Sequence, residues 1–98
     1  MIHTVFFWLK DGLSDEQVAL FETEVAKLPS IETVASGAIG KPAPTETRPV
    51  TDHSFSYHLS LTFDSIEDHN AYQIHPDHDV FVDKCKDLWD RVVVYDSE

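Results

Sequence analysis

Tyr72 and His78, six residues apart, carry the side chains best suited to proton chemistry in this chain. An imidazole with an ordinary pKa of about 6.5 takes up and releases protons near neutral pH. His78 shares the spacing of three, four and seven that links Phe81, Val82, Cys85 and Trp89, which puts it on the apolar stripe of a helix. That position suits a hydrogen-bonded core histidine. It equally suits a reactive imidazole that burial keeps neutral. Tyr72 precedes this helix. His3 has the strand parity of Val5 and Phe7, and Tyr57 that of Leu59 and Leu61, so both point toward the same interior. Four polar tips converging on walls that include Val5, Phe7, Phe81 and Trp89 form the layout of a small-molecule pocket. His75 and His78 stand three apart beside Asp77 and Asp79, but a metal centre needs three or more convergent ligands, so no metal is expected here. His75 reads as a helix cap, and His53 and His69 as surface or loop residues. Cys85 reads as a small core hydrophobe with no basic neighbour to activate it.

The elements that must position these residues follow from patterning. Ile2 to Lys10 is an unbroken apolar run rich in aromatic and β-branched residues, the pattern of a strand buried on both faces. Asp11-Gly12 breaks it. Ser14 with Gln17 makes a capping box, and Val18, Phe21, Val25 and Leu28 recur on one helical face until Pro29. Thr33 to Gly40 reads as a weaker strand. Lys41 to Ser54, with Pro42, Pro44 and Pro49, reads as a long mobile connection. From Phe55 to Phe63 the chain alternates cleanly, placing Phe55, Tyr57, Leu59, Leu61 and Phe63 on one face. Asp64, with Glu67 three residues on, reads as the cap of a short helix, and Pro76 as the first residue of the next one. Arg91 to Asp96 closes the chain as a strand. The order is β-α-β-β-α-β with the second helical region split, an α+β, ferredoxin-like layout in one domain of residues 1–98.

One copy does not satisfy this pattern. If Val5, Phe7 and Leu9 meet the helices, Phe6 and Trp8 point the other way, as do Val93 and Tyr95 of the last strand and His58 of the third. Such an apolar patch marks an interface, and stacking two sheets face to face about a two-fold axis would cover it. A homodimer is therefore expected, with Phe6, Trp8, His58, Val93 and Tyr95 at its interface. The formal net charge of −11 opposes binding to nucleic acid or to an anionic membrane surface. No apolar run approaches the ~20 residues of a membrane span. The N-terminus lacks the marks of a signal peptide, and the single cysteine fits a reducing compartment, so a cytoplasmic location is expected.

The stretch Tyr72-Gln-Ile-His-Pro-Asp-His-Asp-Val-Phe-Val82 resembles the Y-x-x-H-P-x-H-x-x-F signature of the stress-responsive A/B barrel (Dabb) family. The start at Ile2-His3 and the end from Trp89 to Asp96 are similar to that family as well, and only Lys41 to Ser54 falls outside the likeness. The resemblance implies a dimeric α+β barrel. The family includes a plant polyketide cyclase that closes a linear polyketide by an aldol step without cofactor. Its acid/base tyrosine and histidine match Tyr72 and His78, and its strand-1 histidine matches His3. A further pocket histidine is replaced here by Tyr57, so the resemblance does not extend to the same substrate. It implies an acid/base catalyst acting without a cofactor on a small apolar or carbonyl-bearing molecule. The alternatives are a non-catalytic stress or small-molecule-binding dimer and a cofactor-free monooxygenase of the wider superfamily.

Overall fold

A computed structural model of the chain describes residues 1–98. Four antiparallel strands and three α-helices follow in the order β-α-β-β-α-α-β: β1 (Ile2–Leu9), α1 (Asp15–Val25), β2 (Ser36–Gly40), β3 (Tyr57–Thr62), α2 (Ile66–Gln73), α3 (Pro76–Cys85) and β4 (Trp89–Ser97). The sheet order β2-β3-β1-β4 is that of a ferredoxin-like α+β fold. β1 is central, and its register sets the face of every important side chain. His3, Val5 and Phe7 pair with Leu61, Leu59 and Tyr57 on one side, and with Asp96, Val94 and Val92 on the other. All of these therefore share the face that meets the helices.

α1 begins where the sequence predicts. Ser14 Oγ accepts from the Gln17 N–H at 3.1 Å, and Gln17 Oε1 accepts from the Ser14 N–H at 2.9 Å. Phe21 and Val25 enter the core, and Leu28 follows them from a short 3-10 turn at Leu28–Ser30. That turn seats Pro29 against Gly37 of β2. A Cβ on Gly37 would lie 2.7 Å from Leu61 Cδ2 and 3.0 Å from Pro29 Cβ, so this crossing needs glycine. Gly12, at φ +78°, makes the turn out of β1.

Three local expectations are corrected, and one buried charge is added. β2 starts at Ser36 rather than Thr33, because Val34 closes a turn onto the Ile31 carbonyl at 2.9 Å. α2 is capped by Ser65, not Asp64: its hydroxyl accepts from the Asp68 N–H at 3.1 Å. Phe55 leaves the face of Tyr57 and packs on Phe6 (ring centroids 5.0 Å) on the opposite face, because β3 begins only at Tyr57 and alternation does not extend upstream of it. Glu24 of α1, an apolar-face neighbour of Phe21 and Val25, is buried as a charge. Its carboxylate accepts from Lys84 Nζ of α3 at 2.9 Å and from Lys27 Nζ at 3.2 Å, and these bonds hold its pKa below the ordinary carboxylate value.

The result is a slab 35 × 32 × 17 Å, thin because helices cover only one face of the sheet. Only 16 of the 98 residues are buried, a small core for one chain and the physical motive for a second. No helix is long and apolar enough to cross a membrane.

Candidate functional site

The helices do not reach across the whole sheet. Beside α3 they stop short of β4, leaving Val92 and Val94 partly exposed although their face is the inner one. Between α3, β1 and β4 lies a cavity of about 210 Å³. Val5, Phe7 and Leu59 form its sheet wall, Phe81 and Val82 its helix side, with Trp89 at the start of β4 beside them and Val92 and Val94 at its mouth. His3, Tyr72, Gln73 and His78 are its polar groups. The other nine of its thirteen lining side chains are aliphatic or aromatic, which makes it greasy, with few points of polar recognition.

Each polar group has an identifiable support. α2 ends at Gln73, and His75 caps α3 by accepting from the Asp77 N–H at 3.0 Å, with Pro76 in the first turn. This break between two helices drops Tyr72 and His78 onto the same end of the cavity, with ring centroids 4.9 Å apart at 70°. Tyr72 also packs edge-on against His3 (5.9 Å) and at a tilt against Phe63 (5.3 Å). Its residue is 1% exposed, and burial alone pushes its phenol well above the ordinary value, so it is a proton-bearing donor at any working pH. Neither the Tyr72 hydroxyl nor the His78 ring has a hydrogen-bond partner within the chain. Since the one sealed, unpartnered side-chain polar atom is Thr33 Oγ1, both groups face accessible space. Burial lowers the pKa of His78, Asp79 opposes the shift, and His3 and His69 add to it. The imidazole is therefore neutral at pH 7 and free to accept a proton.

His3 is buried, and its Nδ1 lies 2.5 Å from Asp96 Oδ1. A carboxylate accepts only, so Nδ1 donates to it. Neither this partner nor His69 was expected. His69 is half-buried, not a surface residue: its ring lies 4.8 Å from that of His3 and 5.4 Å from Phe63. The signal was available, since His69 sits three residues before Tyr72 on the same helix face. Asp96 likewise has the parity of Val92 and Val94.

Tyr57 is not brought to this cavity. It shares the sheet face but stands behind Phe21 (4.9 Å), at the far end of β3, where it lines a separate groove with Glu22 and Lys41. Burial and Glu22 push its phenol up to about 12. Strand parity fixes a face, and it does not fix a position along the strand. The largest hollow, about 340 Å³ beside the 3-10 turn and α3, is bordered by the satisfied Glu24–lysine pairs. Cys85 is fully buried, and burial pushes its thiol up to about 11, which leaves it protonated and inert at neutral pH.

The outer face carries the other predicted cluster. Phe6 stacks on His58 at 4.7 Å and meets Tyr95 at 6.4 Å. Trp8 Nε1 donates to Ser54 Oγ at 3.0 Å, and the Arg91 guanidinium lies 4.3 Å over its ring. The patch is thus partly covered by the chain's own Ser54, Phe55 and Arg91, while Tyr95 remains 65% exposed.

Solved structures share this fold. A crystal structure of an Arabidopsis thaliana protein superposes with a TM-score of 0.79 at 26% identity, covering 99% of this chain and 92% of that one. A hydroxynitrile lyase from Passiflora edulis matches with a TM-score of 0.78 at 20% identity, over 96% and 87% of the two chains. A dimeric ferredoxin-like protein of unknown function from Thermobifida fusca matches at 0.75 and 22%, over 96% and 85%. No protein of curated function matches the sequence. The family described as Stress responsive A/B Barrel Domain matches residues 1–98, and with the signature around His78 seated at the cavity the chain belongs to that family.

Proposed function

We propose that this protein is an acid/base catalyst of carbon–carbon bond chemistry on a small carbonyl compound, using its own side chains. The observation that carries this reading is the pairing of two unsatisfied groups of opposite character in one apolar cavity: a neutral His78 imidazole and a proton-bearing Tyr72 hydroxyl, with rings 4.9 Å apart. His78 removes a proton from the carbon next to a carbonyl, and Tyr72 donates a hydrogen bond to the enolate oxygen as charge develops there. The enolate carbon then attacks a second carbonyl of the same molecule. The imidazolium returns the proton to the new alkoxide, which balances an aldol closure. His3, its Nδ1 held by Asp96, lines the same cavity and orients substrate or a water.

The cavity volume favours a short substrate. About 210 Å³ lies below the ~300–1,000 Å³ usual for ligand pockets. In cleavage of a hydroxynitrile the same base would remove the hydroxyl proton as the carbonyl forms and the C–CN bond breaks, the proton leaving with cyanide; the lyase from Passiflora edulis shares the fold, so hydroxynitriles belong in the same trial.

We further propose that the working form is a homodimer, sheet face to sheet face. The thin slab, the exposed Tyr95 and the dimeric relative from Thermobifida fusca support it. In that arrangement the cavity lies on the helix side and stays open.

The test is turnover of a panel of short β-polyketones and hydroxynitriles by wild type, His78→Ala and Tyr72→Phe, each first shown by circular dichroism and sedimentation to be folded and unchanged in assembly. Wild type should convert at least one member, and His78→Ala should lose on the order of 10²–10⁴-fold. Full activity in His78→Ala would remove this residue from the chemistry. No turnover across the panel, with apolar ligand retained, would favour a binding protein.

A further inference from the structure

We infer that His3, His69 and Asp96 form a site for one divalent transition-metal ion at the end of the sheet. The three residues come from three elements: the start of β1, the middle of α2 and the end of β4. One nitrogen of each imidazole and one carboxylate oxygen lie within 4.8 Å of one another. Around a single ion with bonds of ~2.0–2.2 Å, ligand atoms sit ~3.3–4.3 Å apart, so small side-chain rotations close the set.

The donor chemistry selects the ion class. Two imidazoles and one carboxylate suit zinc, iron(II) or cobalt(II), whereas calcium and magnesium want oxygen throughout. Three protein donors leave a further position for water or a ligand.

The arrangement is built rather than incidental. Cross-strand register sets Asp96 directly opposite His3, and His3 is buried with its ring confined between His69 and Tyr72. His69 has an orienting partner on either ring nitrogen: Asn70 Oδ1 at 3.1 Å and Gln73 Nε2 at 3.4 Å. An ion would displace one of these contacts and keep the other as support, the usual role of a second partner on a ligating imidazole. The proton now shared between His3 Nδ1 and Asp96 Oδ1 would leave as the ion enters. The Asp96 side chain is 43% exposed, which provides the way in.

Neither His78 nor Tyr72 is a ligand, and metal binding is read without any turnover, so the outcome for this site is distinguishable from that for the proposed catalysis although His3 and Asp96 serve both. The full chain, stripped of metal, is titrated with zinc(II) by calorimetry and with cobalt(II) by visible absorption. One ion per chain should bind with micromolar or tighter Kd, and cobalt should show the bands of a four- or five-coordinate site. His69→Ala and Asp96→Asn each should weaken binding at least ~10-fold. These positions are half-buried and exposed, so the variants should keep the wild-type circular dichroism, whereas His3→Ala opens the core and is not relied upon. His75→Ala, which removes a histidine outside the cluster, should bind as wild type does. Binding of less than half an ion per chain, or equal affinity in His69→Ala and wild type, would overturn the inference. So would a loss in His75→Ala as large as that in His69→Ala.

Discussion

His78 combines two properties that pull against each other: it lies on an apolar helix stripe, and it is left without a partner. Burial is the main cause of its lowered pKa. Two consequences share that sign. If the neutral ring is the base, kcat/KM on an accepted substrate should rise with pH through a midpoint below the ordinary 6.5 and be flat above it. A midpoint at or above 6.5 would contradict the buried-base assignment. For stability, the folded chain binds fewer protons at this group than the unfolded chain does. The contribution of the neutral ring is fully present above 6.5 and is lost as pH falls from there through the folded pKa. Replacing the residue with an uncharged one, His78→Phe, should therefore flatten the pH dependence of the urea midpoint on the acid side of the ordinary 6.5. Tyr72 shows the opposite effect of the same cause, since burial raises a phenol and so keeps its proton in place.

At the scale of elements, the fold rests on a few close approaches. Gly37 is one: Leu61, the atom it would meet, is fully buried and cannot swing aside. Gly37→Ala should cost on the order of 1–3 kcal/mol in chemical denaturation, with β2 the first region affected. A change under ~0.5 kcal/mol would mean that the Pro29 turn gives way easily. The long connection is another case. Its end is fastened to β1: the Ser56 N–H donates to the Phe7 carbonyl at 2.7 Å, and Ser56 Oγ accepts from the Leu9 N–H at 2.8 Å. Residues 42–53 have little of this kind. Hydrogen exchange should be fast through 42–53 and slow at Ser56, with Leu59 and Leu61 slower still; protection at 45–50 equal to that of Leu59 would refute this.

For the whole molecule, the outer sheet face decides the assembly. Tyr95 is 65% exposed here, so Tyr95→Glu should be nearly neutral in a monomer and disruptive in a face-to-face dimer. Sedimentation at micromolar concentration should give twice 11.2 kDa for wild type and a shift toward the single-chain mass for the variant. A wild type that sediments as a single chain, or a variant that stays as fully paired as wild type, would refute the arrangement. Because so few residues are buried in one chain, the dimer should also raise thermal stability with protein concentration.

What the sequence determined by itself was whatever depends on neighbours along the chain. The Ser14–Gln17 box, the Pro76 start after a capping His75, the both-faces-apolar β1 and the His78–Phe81–Cys85 stripe are all periodic or local, and the structure shows each. Distance along and between elements came only with packing. Parity put Tyr57 and His3 on one face, but Phe7, the partner of Tyr57, stands four positions along β1 from His3, and Phe21 stands at Tyr57. Asp96 met His3 through strand register, and His69 met it through the angle at which α2 crosses the sheet end. Neither quantity is written in a repeat. Both come from how two chain segments far apart in sequence pack against the same core, which is why the histidine pair and its carboxylate emerged only in three dimensions.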